Sequence, residues 1–217
     1  GYSLEKMILK NYAEVESVRI HAEGLHTLAV TAKERELSAV VCAKYPDFAE
    51  KELSDDDPDA CYFADASGYV FKKAPAFSGD LYNRYYIPGL LEVAAASSVE
   101  SIVGLHATTT EEFVFLQKIY DGLKKNGITV DAMLMKTAGE YELYGRNPVI
   151  KTVQPASAQI STVVIYFNSA IAPEEQISNL LTVWNHLVEN ARTNKEKLEF
   201  EYIDVRYGKN VFYKLIK

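Results

Sequence analysis

Two long stretches of this sequence carry a sustained helical period, and most of its other apolar residues fall in short Val/Ile/Tyr runs broken by turn residues. That contrast constrains the fold more than any single motif. In TTTEEFVFLQKIYDGLKKNG, threonine precedes Glu111 and Glu112, and Phe113, Leu116, Ile119, Tyr120 and Leu123 recur on one face. Gly127 closes the segment, so a capped amphipathic helix is expected. APEEQISNLLTVWNHLVENARTN repeats the pattern, with Pro173 near its first turn and Ile177, Leu180, Leu181, Trp184, Leu187 and Val188 inward. Between and around these helices, fifteen Tyr and nine Phe against one Trp enrich the chain in residues that favour strands. The expected class is α+β with a large, mostly antiparallel β region. With 48% hydrophobic residues in 217, the chain can fill a core.

Ahead of this region, SLEKMILKNY places Leu4, Met7 and Ile8 on one helical face, with Ser3 as the expected N-cap. SVRIHAEGLHTLAVTAKER then reads as a hairpin turning at Glu23-Gly24. A short helix and a hairpin are too little chain to bury both faces, so they either pack on the rest or are the remainder of a larger domain. LSAVVCAK opens the longer β-rich region, and the charges and prolines of YPDFAEKELSDDDPDA mark a surface loop. CYFADASGYVFKK reads as strand, turn at Asp65-Ala66-Ser67-Gly68, strand. Over residues 90 to 98 the periodicity fits short strands or a helix. A meander with turns near Ala138-Gly139 and Gly145-Arg146-Asn147-Pro148 follows, then the apolar strand STVVIYFN.

The last two strands are LEFEYIDVRY and NVFYKLIK, joined around Gly208-Lys209-Asn210. No Gly, Pro or Asn follows residue 210 to stop the final alternation, so the chain ends in mid-strand and raises the question of what that strand pairs with. Leu198 and Phe200 fall in one phase and Ile203, Val205 and Tyr207 in the other. Either a bulge near Tyr202 or burial on both faces accounts for the switch.

Charge and motifs narrow the function. A net charge of −7 argues against a phosphate-binding surface, so no nucleic-acid partner is expected. No run approaches the roughly 18 apolar residues of a membrane span. The four His residues, 21, 26, 106 and 186, show no metal-ligand spacing, and a structural role is expected for His186 on its helix. Asp55-Asp56-Asp57-Pro58-Asp59 lacks the alternating ligands, glycine and bidentate Glu of a calcium loop and reads as a solvated acidic loop. With no nucleophile elbow, phosphate loop or dinucleotide fingerprint, the expectation is a protein that is not an enzyme, with no catalytic residues, cofactor, metal or small-molecule substrate. Cys42 and Cys61 fit either a bridge between neighbouring strands or two buried free thiols.

Several segments, in order, resemble the bacterial division protein family FtsQ/DivIB. LEKMILKNYAEVESVRIHAEGLHTLAVTAKER is similar to the second helix and final hairpin of a POTRA domain, ending in Glu34-Arg35. FADASGYVF is similar to the family's D-x-x-G-x-hydrophobic-F turn through Asp65, Gly68, Val70 and Phe71, and YIDVR at 202–206 is similar to its Y-[IV]-D-L-R strand. The chain departs from the pattern at Leu37, where the family often has Pro, in its long acidic loop, and in lacking the first half of a POTRA domain. The resemblance implies a partial POTRA domain over residues 1–36 and the family's larger β domain over 37–217. It also implies a non-catalytic scaffold at the division septum, held to the cell membrane by an upstream single-span anchor absent from this chain, with the present region extracytoplasmic. Its implied partners are FtsB/FtsL-type division proteins, received by strand addition at the C-terminal edge. Carried over by position, the partner-binding residues are Arg206, Tyr207, Gly208, Lys209, Asn210, Val211, Phe212 and Tyr213. The other reading of the same strand is a covered or central one, with its Tyr packed internally and Arg206 paired with Asp204 or Glu201. The alternative is a POTRA-type module serving protein export or outer-membrane assembly.

Overall fold

Residues 2–43, 61–75, 82–90, 102–149 and 161–216 are described by a computed structural model. The whole of the expected acidic loop, residues 45–60, and all of the mixed stretch 90–98 except Leu90 lie outside them. The chain is α+β, with three helices, a mostly antiparallel sheet and a separate two-stranded hairpin among the described residues. It divides into two compact units, one built from the residues up to Asn83 together with Ile87–Phe113, the other from Arg84–Tyr86 and Val114 onward.

The first unit starts with helix α1 (Tyr2–Asn11), so Ser3 lies inside its first turn rather than capping it. The hairpin β1 (Val15–Ala22) and β2 (Leu28–Glu34) follows, and Gly24, at φ +80°, turns it as expected. The Glu5 carboxylate of α1 accepts the Ile20 backbone N–H at 2.8 Å, tying helix to hairpin. Leu4, Met7, Leu25, Leu28 and Val30 nevertheless stay exposed, so this segment is only partly covered.

Strands β3 (Ala39–Cys42), β4 (Cys61–Ala64) and β5 (Val70–Lys73) form an antiparallel run in that order. Cys42 stands opposite Cys61, and the two are joined in a buried disulfide. At the β4–β5 turn the Asp65 carboxylate accepts the Ser67 N–H, the Ser67 hydroxyl and the Tyr69 N–H. Gly68 is required twice over: its φ is +80°, and a Cβ would stand 2.8 Å from the Phe113 ring. Arg35 pairs with the other Asp65 oxygen, donates to the Ala13 carbonyl at 3.0 Å and lies 3.9 Å above the Tyr69 ring. A loop covers the start of β5: the Val70 N–H donates to the Leu105 carbonyl, Gly104 N–H to Val70 and Ala107 N–H to Gly68.

The second unit holds most of β6 (Asn83–Tyr86) and of helix α2 (Thr110–Lys125), followed by β7 (Val130–Thr137), β8 (Glu140–Arg146), β9 (Thr162–Asn168), helix α3 (Pro173–Asn194), β10 (Phe200–Tyr207) and β11 (Asn210–Leu215). The strands are ordered β11-β10-β9-β8-β7-β6; β6/β7 and β9/β10 are parallel, the other pairs antiparallel. In α2 the expected stripe of Phe113, Leu116, Ile119, Tyr120 and Leu123 is buried throughout. In α3, Leu180 and Trp184 are buried, while Ile177, Leu181, Leu187 and Val188 are half-buried. Trp184 stacks on Phe200 of β10 with ring centroids 5.3 Å apart, and Phe115 on Tyr141 at 5.2 Å. Ile177 packs where Gly122 leaves room, so the absence of a side chain there sets the approach of the two helices.

One expected turn moves. Gly145 and Arg146 continue β8, opposite Val163 and Thr162, and the chain leaves the strand only at Asn147. Two contacts hold the extension: the Arg146 N–H donates to the Thr129 carbonyl at 3.1 Å, and its guanidinium forks onto Asp131 at 2.9 and 2.8 Å. Asn147 then acts as a strand surrogate, its side-chain oxygen accepting the Phe200 N–H at 2.7 Å and its amide donating to the Phe200 carbonyl at 2.9 Å.

Candidate protein-interaction edge

The terminal hairpin is irregular by construction. Phe200 stands opposite Leu215 and Tyr202 opposite Lys214, which leaves Glu201 as an extra residue and makes a bulge beside Tyr202. That bulge produces the phase switch in the sequence: Phe200 is buried before it, Ile203 and Val205 after it. A second irregularity follows between Asp204 and Tyr207, where Asp204 faces Phe212 and Tyr207 faces Asn210. Beyond it Gly208 turns the chain at φ +61°.

β11 is the end strand of its sheet, and among the described residues no strand pairs with its outer side. Its residues split between two faces. Tyr213 lies opposite buried Ile203 and meets the Phe200 ring edge-on at 6.2 Å. Phe212 and Lys214 lie opposite Asp204 and Tyr202, and Lys214 pairs with Glu201 at 2.7 Å. That contact raises the Lys214 pKa above its ordinary value. Tyr207 and Phe212 meet edge-on at 5.4 Å while remaining 57% and 53% exposed, so an aromatic pair stands in solvent at the tip of the hairpin. Tyr213, Leu215 and Ile216 are exposed as well.

Arg206 is placed differently from the others. Its Nε and Nη2 donate to the two oxygens of Asp204 at 2.9 and 2.7 Å, and its own backbone N–H donates to Oδ1 at 3.1 Å. The guanidinium also lies 5.0 Å from the Tyr166 ring centroid, with Glu140 3.8 Å away. Hydrogen bonding to Asp204 raises the Arg206 pKa above its already high ordinary value, so the group stays charged. Burial, reinforced by the Glu142 carboxylate, pushes the Tyr166 hydroxyl up despite the neighbouring Arg206. Arg206 is therefore spoken for within the chain, and the side chains that present area at this edge are Tyr207, Phe212 and Tyr213. Lys209 and Asn210 lie exposed at the turn, and Val211 is half-buried.

Three carboxamides that the sequence reading did not single out fasten this hairpin. Gln176, fully buried in the first turn of α3, accepts the Asn168 N–H and donates to the Asn168 and Ile171 carbonyls. The Asn168 side chain donates to the Arg206 carbonyl at 3.0 Å, and Asn179 of α3 donates to the Gly208 carbonyl at 2.7 Å. A polar residue beside an inward helical stripe was the available signal for Gln176 and Asn179, but it names no partner.

No family model matches this chain, and no curated protein matches it.

Proposed function

We propose that this chain is the extracytoplasmic part of an FtsQ/DivIB-type division scaffold that receives a strand of an FtsB/FtsL-type partner along β11. The observation that carries the reading is the contrast between two end strands: at the start of β5 the N–H and carbonyl of Val70 are taken by the 102–107 loop, whereas β11 presents its outer side with exposed aromatics along it. Unpaired backbone groups on an end strand are a template for an incoming strand, and proteins normally blunt them.

Backbone pairing alone is too weak for the task. About five hydrogen bonds at roughly 0.5–1.5 kcal/mol each give at most about 7 kcal/mol, from which association removes several. Tyr207, Phe212 and Tyr213 supply the remainder, being the residue types that dominate interfaces. The Cys42–Cys61 disulfide supports an extracytoplasmic location, since structural disulfides persist in oxidising compartments. YIDVR supports the family reading by its position, immediately before the exposed tip.

The test is binding to a synthetic peptide spanning the extracytoplasmic segment of the FtsB-type protein from the same organism. Deleting residues 209–217, or Val211→Pro, is expected to abolish binding while the second unit stays folded. A folded variant that binds unchanged overturns the reading.

A further inference from the structure

The turn of the terminal hairpin is open at Gly208, where a Cβ would meet no atom within 4 Å. Besides the Tyr207–Phe212 contact, hydrogen bonding to the carbonyls of this turn ties it to the rest of the second unit. The carbonyls of Arg206 and Gly208 flank Tyr207, and each is bound by a side-chain amide, from Asn168 at 3.0 Å and from Asn179 at 2.7 Å. Asn179 is itself stiffly mounted. It lies one helical turn beyond Gln176, which joins the start of α3 to the end of β9 by two hydrogen bonds to Asn168 and to the following loop by one to Ile171. A rigid line thus runs from the end of β9 through Gln176 and α3 to the tip that displays Tyr207 and Phe212.

We propose that Asn179 is a positioning residue for partner binding: its amide holds the Gly208 carbonyl so that the β10–β11 tip and its Tyr207–Phe212 pair are already set when a strand arrives. The inference rests on the reading of β11 as the receiving edge. Its physical basis is preorganisation, in which ordering a loop before binding removes that cost from the binding step. Asn179 contacts no partner in this scheme and acts only through the turn.

Asn179→Asp keeps the shape of the side chain and removes the donor, whereas Asn179→Gln keeps the donor. Affinity for the FtsB-type peptide is measured together with amide exchange at residues 207–213 and the thermal midpoint. Asn179→Asp is expected to weaken binding about tenfold and to speed exchange at Lys209 and Asn210, with little change in midpoint. Asn179→Gln is expected to retain most of the affinity, and Asn179→Ala replaces the Asp variant if that one fails to fold. Unchanged affinity without the donor, or an equal loss in the Gln and Asp variants, overturns the proposal. Peptides N-methylated at alternate residues, one for each phase, separate the two levels. If both bind wild type as well as the unmodified peptide, the edge reading falls and the role of Asn179 with it. If one fails to bind while Asn179→Asp binds normally, only the positioning role falls.

Discussion

Arg206 and Asp204, two residues apart on one face of β10, form a two-pronged ion pair that is mostly withdrawn from solvent, at 2.9 and 2.7 Å. The pair lies at the second irregularity of the hairpin, where Val205 and Arg206 together stand against Val211. It therefore helps shape the bend that leads into the exposed tip.

Removing one partner leaves the other charge underused in a half-buried setting, so Asp204→Ala is expected to destabilise the chain by about 1.5–3 kcal/mol, the range for hydrogen bonds to charged groups. Arg206→Ala is expected to cost a similar amount, with loss of packing on Tyr166 included. Urea midpoints of the two single variants and the double variant check this. The double variant is expected to lose less than the sum of the singles.

The Asp65 carboxylate gives the acid limb of stability a defined sign. Burial opposes its charge, but hydrogen bonds from the Ser67 hydroxyl and N–H, from Arg35 and from Tyr69 more than offset this and hold its pKa below the ordinary value. A carboxyl lowered on folding contributes stability that is fully present above about pH 4, its unfolded value, and is lost as pH falls through the folded value. Asp65→Asn is therefore expected to be less stable than wild type at pH 7 and to approach it in acid. Thermal midpoints measured from pH 7 to pH 2 check the convergence; a constant gap across that range contradicts it.

Cys42 and Cys61 lie inside the first unit, so the disulfide is expected to resist mild reductant in the folded protein and to open only on unfolding. The double variant Cys42→Ser, Cys61→Ser is expected to lose about 3 kcal/mol, the value for a bridge closing a loop of this size. Denaturant midpoints of wild type and variant, with thiol titration before and after unfolding, check both statements.

How much of this was legible in the residues follows from whether the deciding contact is local. The α2 stripe, the Asp65–Gly68 turn and the Glu23-Gly24 turn depend on neighbours a few residues away, and their periodicity and turn chemistry were sufficient. The phase switch at Tyr202 was visible as a conflict, and the bulge at Glu201 resolved it. Gly145 and Arg146 looked like a turn because Gly, Asn and Pro cluster there, yet Thr129 and Asp131, on the neighbouring strand and its approach, bond Arg146 and hold the segment in β8. The carboxamides were least legible: Asn147 reaches 53 residues along the chain to Phe200, and Asn179 reaches 29 to Gly208. Nothing in the sequence near an Asn or Gln reveals a partner that topology delivers from so far away. Arg206 was legible both as an interface residue type and as a partner of Asp204 or Glu201, and it is Asp204 that it pairs with.

The most direct measurement of the central claim is hydrogen exchange at β11, with and without the FtsB-type peptide. An incoming strand takes up the outward backbone amides of β11 and leaves the inward ones, already bonded to β10, unchanged. The account predicts new protection at alternate residues between Asn210 and Leu215, with none along β1 or β2. Protection confined to other strands, or binding with no change along β11, would contradict it.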